Sequence, residues 1–353
     1  MPSLMRRCSR WWTDSLPHNI PTTALTEDPS WSTFPLMNST GALSAPEPSN
    51  NRVLTLVGPT AVGKTAVAVE LARRLDGEII GLDSRQIYKY MAVGTVQPTD
   101  EEKVHVRHHL IGDRDPSEQI SAGEYVGLVE VAIDDVKSRS KVPIVCGGSG
   151  LYFRAVTRGL FDESTSDPKV RAALKERLEN EGSDTMLAEL KVLDQEYGEI
   201  VHPNNHKRLI RALEIIQITG KPPTEHFRHQ AESDSHDRFF TVFLRMDIEE
   251  LTPRIERRTK MTFENGWIDE VKKLLDLGFD RSSHPMDSLG YRDILKYLDG
   301  EMDFEEMVER IKIDTRQYAR KQLKWFDKER IDCVLEVAGM SEMGVAEKVI
   351  NQF

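Results

Sequence analysis

Only three cysteines occur in 353 residues, Cys8, Cys146 and Cys333. They are too scattered for a disulfide framework and lack the paired spacing of a zinc site, so a disulfide-stapled fold and a zinc ribbon are both excluded. No apolar run approaches the roughly 18 to 20 residues that a membrane-spanning helix needs, which argues against a membrane protein. Positive charge is in deficit as well: 47 Lys and Arg against 58 Asp and Glu give a formal net charge of −11. Coating nucleic acid through bulk charge rests on many phosphate contacts and is disfavoured here, although one local basic face is not. With 39% hydrophobic and 30% charged residues, what is left is a reduced, globular chain of one large or two modest domains, expected in the cytoplasm.

Residues 1–51 are rich in Ser and Pro and show no sustained period of helix or strand, and they read as a disordered extension. Arg6, Arg7 and Arg10 precede the first acid, Asp14, as in a transit peptide to mitochondrion or plastid, but Asp14, Glu27, Asp28 and Glu47 dilute that signal. A plain tail, or a start at Met37, is the alternative. From Arg52 the pattern changes. Apolar runs at 53–57, 78–82, 142–146, 239–244 and 333–337 read as strands, and the stretches 65–75, 122–137, 205–219, 251–277 and 304–326 as helices. Strands alternating with helices imply an α/β fold with a parallel sheet flanked by helices. Residues 161–200 are helical and strongly charged without a strand. The predicted organisation is therefore a core of 52–160 and 201–340, a helical insertion at 161–200 and a C-terminal tail at 341–353.

Gly58, Pro59, Thr60, Ala61, Val62, Gly63, Lys64 and Thr65 match G-x-x-x-x-G-K-[ST] between an apolar strand and a helix, where that motif must sit. The glycines let successive N–H groups point inward, and the helix N-terminus adds partial positive charge. Lys64 then faces phosphate oxygens, and the Thr65 hydroxyl can hold Mg2+. The motif says only that a phosphate chain binds. A kinase or NTPase switch would carry a further strand ending in a metal-positioning Asp, yet 142–146 runs into Gly147-Gly148-Ser149. The strand 78–82 does end in an acid, Asp83, followed by the polar cluster Ser84-Arg85-Gln86. One possibility is a cradle for a diphosphate that leaves whole, its charge growing as a carbon–oxygen bond breaks.

Several segments together resemble the tRNA dimethylallyltransferases, also called tRNA isopentenyltransferases, in the bacterial form without a C-terminal zinc module. They are Gly58–Thr65, Asp83–Tyr88 with Met91 and Gly94-Thr95, His108-His109-Leu110, Gly147–Tyr152, His202–Asn205 with Arg208 and Arg211–Glu214, and Thr315–Gln322 before Trp325-Phe326. They occur in family order from about Arg52 to Val337. The resemblance implies transfer of the dimethylallyl group of dimethylallyl diphosphate to the exocyclic amine of an adenine beside the anticodon, with release of diphosphate.

By that resemblance Asp83 is the base that accepts the amine proton, with Ser84, Arg85 and Gln86 around the adenine; without it, Asp83 would read as a turn or cap carboxylate. Thr60, Lys64 and Thr65 hold the diphosphate with Mg2+. Ser149 stands where the family more often has Thr and supplies a substrate hydroxyl, or is merely a small residue in a tight turn. Arg258, from the cluster Arg254, Arg257 and Arg258, aligns with an arginine directed at the leaving group.

For tRNA, Lys207, Arg208 and Arg211 share one helical face, and Arg316, Gln317, Arg320, Lys321 and Lys324 form a second stripe interleaved with Tyr318 and Trp325. Arg171 is a further candidate in the insertion, which is expected to grip the anticodon stem and offset turning the base out of its stack. The plainer view buries the aromatics and solvates the cations. His108 and His109 read as structural, since neighbours diverge and no third metal ligand is spaced nearby. A monomer acting on tRNA and dimethylallyl diphosphate is expected. An adenylate isopentenyltransferase acting on free AMP is the rival on the same fold, and a P-loop nucleotide kinase or switch is the more distant one.

Overall fold

The computed structural model describes residues 52–159, 166–232, 236–281 and 283–353; the extension read at 1–51 lies outside the described residues. Six strands form one parallel sheet: β1 Val53–Val57, β2 Gly77–Leu82, β3 His108–His109, β4 Val142–Gly147, β5 Phe239–Arg245 and β6 Cys333–Glu336. Their spatial order is β3-β2-β4-β1-β5-β6. Each long strand is an almost unbroken apolar run because both of its faces are covered by helices. In β1 all five residues are buried, and its neighbours β4 and β5 align Val57 with Gly147 and Phe243.

The helices over this sheet are α1 Lys64–Arg74, α2 Asp100–His105, α3 Ala122–Ser138 and α4 Gly150–Arg158. The intervening α5 Pro168–Glu181, α6 Ser183–Leu193, α7 Gln195–Ile200, α8 His206–Thr219 and α9 Pro223–Glu232 precede β5. After β5 come α10 Ile248–Glu264, α11 Trp267–Asp276, α12 Tyr291–Leu298, α13 Phe304–Phe326 and, after β6, α14 Glu342–Ile350. One apolar cluster joins α1 and α14 to Leu54, Leu56, Val242 and Leu244. Another joins α3, α4 and α11–α13 to Val53, Val57, Ile80 and Phe243. Adjacent side chains on β1 thus face opposite halves of the core, as the pleat requires.

Three expectations are corrected. The helix foreseen at 251–277 is two helices, because the chain turns at Asn265-Gly266, where Gly266 adopts φ 89°; that left-handed conformation favours glycine. Residues 341–353 are no tail. Ser341 caps α14 through the Gly344 N–H at 3.2 Å, and Val345, Ala346 and Val349 are buried against α1. The helical unit also runs past the foreseen boundary at 200: residues 166–228 form one compact unit, and residues 52–159 with 236–353 another. The reason is α8, whose apolar face supplies Leu209, Ile210 and Leu213 to a core with Leu174, Met186, Leu190 and Tyr197.

Candidate active site

The carboxyl ends of β1, β2 and β4 lie side by side, since Gly147 pairs with both Val57 and Leu82. This is the place where an open parallel sheet offers a crevice. It brings Gly58, Asp83 and Gly148 to one edge. The loop after β1 curls with Ala61 at φ 66° and Gly63 at φ 106°. Gly58 backs onto the Leu244 carbonyl, and a Cβ there would stand 2.6 Å from that oxygen. Lys64 folds over the loop, donating to the carbonyls of Gly58 at 3.0 Å and Pro59 at 2.8 Å. Removal from water pulls its ammonium down to about 8, with the neighbouring Arg258 charge acting the same way and Cys146 and Asp83 acting against it.

Two arginines of α10, one turn apart, meet this loop. Arg258 Nη1 donates to Thr60 Oγ1 at 2.9 Å, and Arg254 Nη1 donates to the Val62 carbonyl at 3.2 Å, while Arg257 is exposed. From α13, buried Gln322 accepts the Thr60 N–H at 2.8 Å and donates to the Gly148 carbonyl at 2.8 Å. Gln322 has no role predicted from the sequence; its one signal there is a polar residue on an otherwise apolar face of an amphipathic helix.

Asp83 Oδ1 accepts the backbone N–H groups of Arg85 at 2.8 Å and Gln86 at 3.3 Å. This is the turn that a plain Asp would form, and it leaves the second oxygen for other work. The carboxylate lines two cavities. The smaller, about 120 Å³, is walled by Thr60, Lys64, Thr65, Gly148 and Gln322 among others. The larger, about 320 Å³, is walled by Ser84, Arg85, Thr259, Trp267 and Tyr291 among others. Thr60, Asp83, Thr95, Arg258 and Tyr318 belong to both. A phosphate-sized space and a base-sized space therefore meet at one carboxylate.

Pairwise comparison supports one lineage. Residues 86–329 match the family model described as IPP transferase. The tRNA dimethylallyltransferase of Acetivibrio thermocellus is 40% identical over 279 residues, covering 79% of this chain and 89% of the relative. The chain belongs to the tRNA dimethylallyltransferase family. Another member, from Petrotoga mobilis, is 37% identical over 303 residues, 86% of this chain and 99% of its own length. The full-length tRNA isopentenylpyrophosphate transferase from Bacillus halodurans is 33% identical with a TM-score of 0.62, over 86% of this chain and 95% of that one. A eukaryotic dimethylallyltransferase whose crystallographic snapshots show it acting on tRNA reaches a TM-score of 0.73 at 27% identity, over 85% and 77%.

The remaining residues that the family resemblance points to are placed unevenly. Ser149 Oγ accepts the Ser84 N–H at 3.2 Å and is not among the lining residues of either cavity. Arg85 lines the larger cavity while donating to the His284 carbonyl and contacting its Nδ1 at 2.9 Å. Gln86 lines the smaller cavity and donates from Nε2 to the carbonyls of Thr95 and Val96. His108 borders the smaller cavity too, with Nδ1 on the Val106 carbonyl at 2.7 Å, whereas His109 Nε2 sits on Glu78 at 2.6 Å.

On α13, Tyr318 is 41% exposed and reaches both cavities; burial and the Asp83 charge push its hydroxyl above the usual range. Phe326 is core, and Trp325 lies under Arg154 at 4.4 Å. Gln317, Arg320, Lys321 and Lys324 are exposed at helical spacing, whereas Arg316 pairs with Glu256 at 3.3 Å. In the helical unit, Lys207 is exposed and Arg208 half-buried. Arg171 and Arg211 both pair with buried Glu214, at 3.1 and 2.9 Å. That buried carboxylate claims two of the cations foreseen as tRNA contacts.

Proposed function

We propose that this chain transfers the dimethylallyl group of dimethylallyl diphosphate to the exocyclic amine of the adenine next to the anticodon in tRNA. The observation that carries the reading is the position of Asp83, on the wall common to the cradle cavity and the larger one. The diphosphate occupies the cradle, against the Thr60 and Lys64 side chains and the Arg258 fork, and the adenine enters the larger cavity. The nitrogen lone pair forms a bond to the allylic carbon as its bond to oxygen breaks. The electron pair leaves with the diphosphate, and the nitrogen proton passes to the free oxygen of Asp83. Lys64 and Arg258 meet the charge that grows on the departing oxygen. Ser149 acts through Ser84, holding the turn that carries Asp83.

Among the described residues no group of three or more His, Cys, Asp or Glu could hold a metal ion by itself. The Thr65 hydroxyl, a hard oxygen donor on the wall of the smaller cavity, suits Mg2+ shared with a diphosphate. Bound there, Mg2+ would neutralise part of the diphosphate charge. The α13 stripe of Gln317, Arg320, Lys321 and Lys324 takes tRNA phosphates, Tyr318 stacks on a base, and the helical unit, through Lys207 and Arg208, takes the anticodon stem. A monomer suffices for this arrangement.

The experiment is incubation with labelled dimethylallyl diphosphate and either unmodified tRNA or free AMP. Label in tRNA is expected. Label in AMP alone would make the chain an adenylate isopentenyltransferase, and no label with release of γ-phosphate from ATP would make it an NTPase.

A further inference from the structure

We infer that Glu270 is a positioning residue for the transfer, a clamp that sets the wall between the two cavities. The inference rests on the reaction proposed above. Glu270 stands on the first turn of α11, and its carboxylate accepts three hydrogen bonds: the Val93 N–H at 2.6 Å, the Gly94 N–H at 2.9 Å and the Tyr291 hydroxyl at 2.6 Å. Two of these fix the backbone of one short turn, whose Gly94 and Thr95 line the larger cavity, and whose Thr95 also lines the smaller. A carboxylate accepting several N–H bonds holds backbone more firmly than a neutral group would.

The turn is tightly enclosed at Gly94. A Cβ on Gly94 would come within 1.9 Å of the Trp267 indole nitrogen and 2.5 Å of the Tyr291 hydroxyl. So Trp267 and Tyr291 close over the backbone while Glu270 pulls it toward α11. From the turn the restraint passes inward. The Gln86 amide donates to the carbonyls of Thr95 and Val96 at 3.0 and 2.9 Å, and the Gln86 backbone N–H is one of the two that hold Asp83 Oδ1. Glu270 lines neither of the two cavities, yet it is linked by bonded groups to the carboxylate proposed as the base. Misplacing such a base by an ångström costs rate without removing any substrate contact.

The test uses the full chain as wild type, Glu270→Gln and Tyr291→Phe. It follows single-turnover transfer to unmodified tRNA at saturating dimethylallyl diphosphate, affinity for inorganic diphosphate, and melting temperature. Glu270→Gln preserves shape but presents an NH2 where an N–H must be accepted, and a rate loss of about 10- to 100-fold is expected. Its diphosphate affinity should stay within about threefold of wild type, because the cradle is untouched. Tyr291→Phe removes one of the three bonds and should slow transfer about threefold. Transfer by Glu270→Gln at the wild-type rate, or loss of diphosphate affinity in step with the rate, overturns the clamp. Should Glu270→Gln fail to fold, Tyr291→Phe decides: slower transfer with intact diphosphate binding supports the clamp, and the wild-type rate overturns it. A wild type that transfers nothing would instead strike down the proposed reaction, leaving the two failures distinct.

Discussion

One oxygen of Asp83 holds the N–H groups of Arg85 and Gln86, as in any turn-forming aspartate, and only the cavities on either side of the carboxylate mark it as chemical. Asp83→Asn separates the two tasks. The amide oxygen still accepts the backbone bonds, but the group no longer takes a proton. Transfer is expected to fall by about 10²- to 10⁴-fold, with inorganic diphosphate affinity changed by less than about threefold. Equal loss of both would make the carboxylate structural. Lys64 offers a second measurement. Its ammonium is pulled down to about 8 from the ordinary 10.5, so the folded protein gives up that proton before the unfolded chain does. The lysine therefore works against folding below pH 8, and this penalty is relieved as pH rises from about 8 to 10.5. A bound anion favours the charged form. Calorimetry should show inorganic diphosphate affinity falling above pH 8 by up to about tenfold per unit, beyond any slope of Lys64→Met. Equal slopes for both proteins would remove Lys64 from the phosphate site.

At the scale of elements, α14 shows how a short helix can decide stability without touching the site. Val349 is fully buried between α14 and α1, and α1 is the helix whose N-terminus carries Lys64. Val349→Ala should cost about 2 kcal/mol in a denaturant titration, while exposed Lys348→Ala should stay within about 0.5 kcal/mol. A neutral Val349→Ala would mean that α14 is not packed as described. The sequence does hold the signals for this helix, Ser341 as a cap and apolar residues at 345, 346 and 349, but nine residues are too few for period alone to outweigh a chain end. The break at Gly266 was hidden for the opposite reason. Trp267, Val271 and Leu274 continue an apolar helical period straight through it. What was legible is local. The strand 53–57, the cradle and Asp83 after β2 follow from adjacent residues. Gln322, Arg254 and Glu270 act on backbone more than 170 residues away, and no local pattern marks such a partner.

For the whole molecule, the question is how a chain with a net charge of −11 holds a polyanion. Its acidic residues do not lie evenly among its cations. Glu214 takes Arg171 and Arg211, and Glu256 with Glu309 takes Arg316, whereas Arg320, Lys321 and Lys324 carry no ion pair among the described residues. The available positive charge on α13 is thus concentrated on one exposed stripe beside Tyr318. Since each lost phosphate contact releases fewer counterions, Arg320→Ala should weaken tRNA binding and reduce the slope of log affinity against log salt by about one. Transfer at saturating tRNA should be unaffected, because the residue lies outside both cavities. Arg171→Ala should behave differently. It leaves Glu214 with Arg211 as its one cationic partner in a buried core, so the expected loss appears as stability of the helical unit, with the salt slope for tRNA unchanged. A slope that drops for Arg171→Ala and holds for Arg320→Ala would move the tRNA surface from α13 to the helical unit.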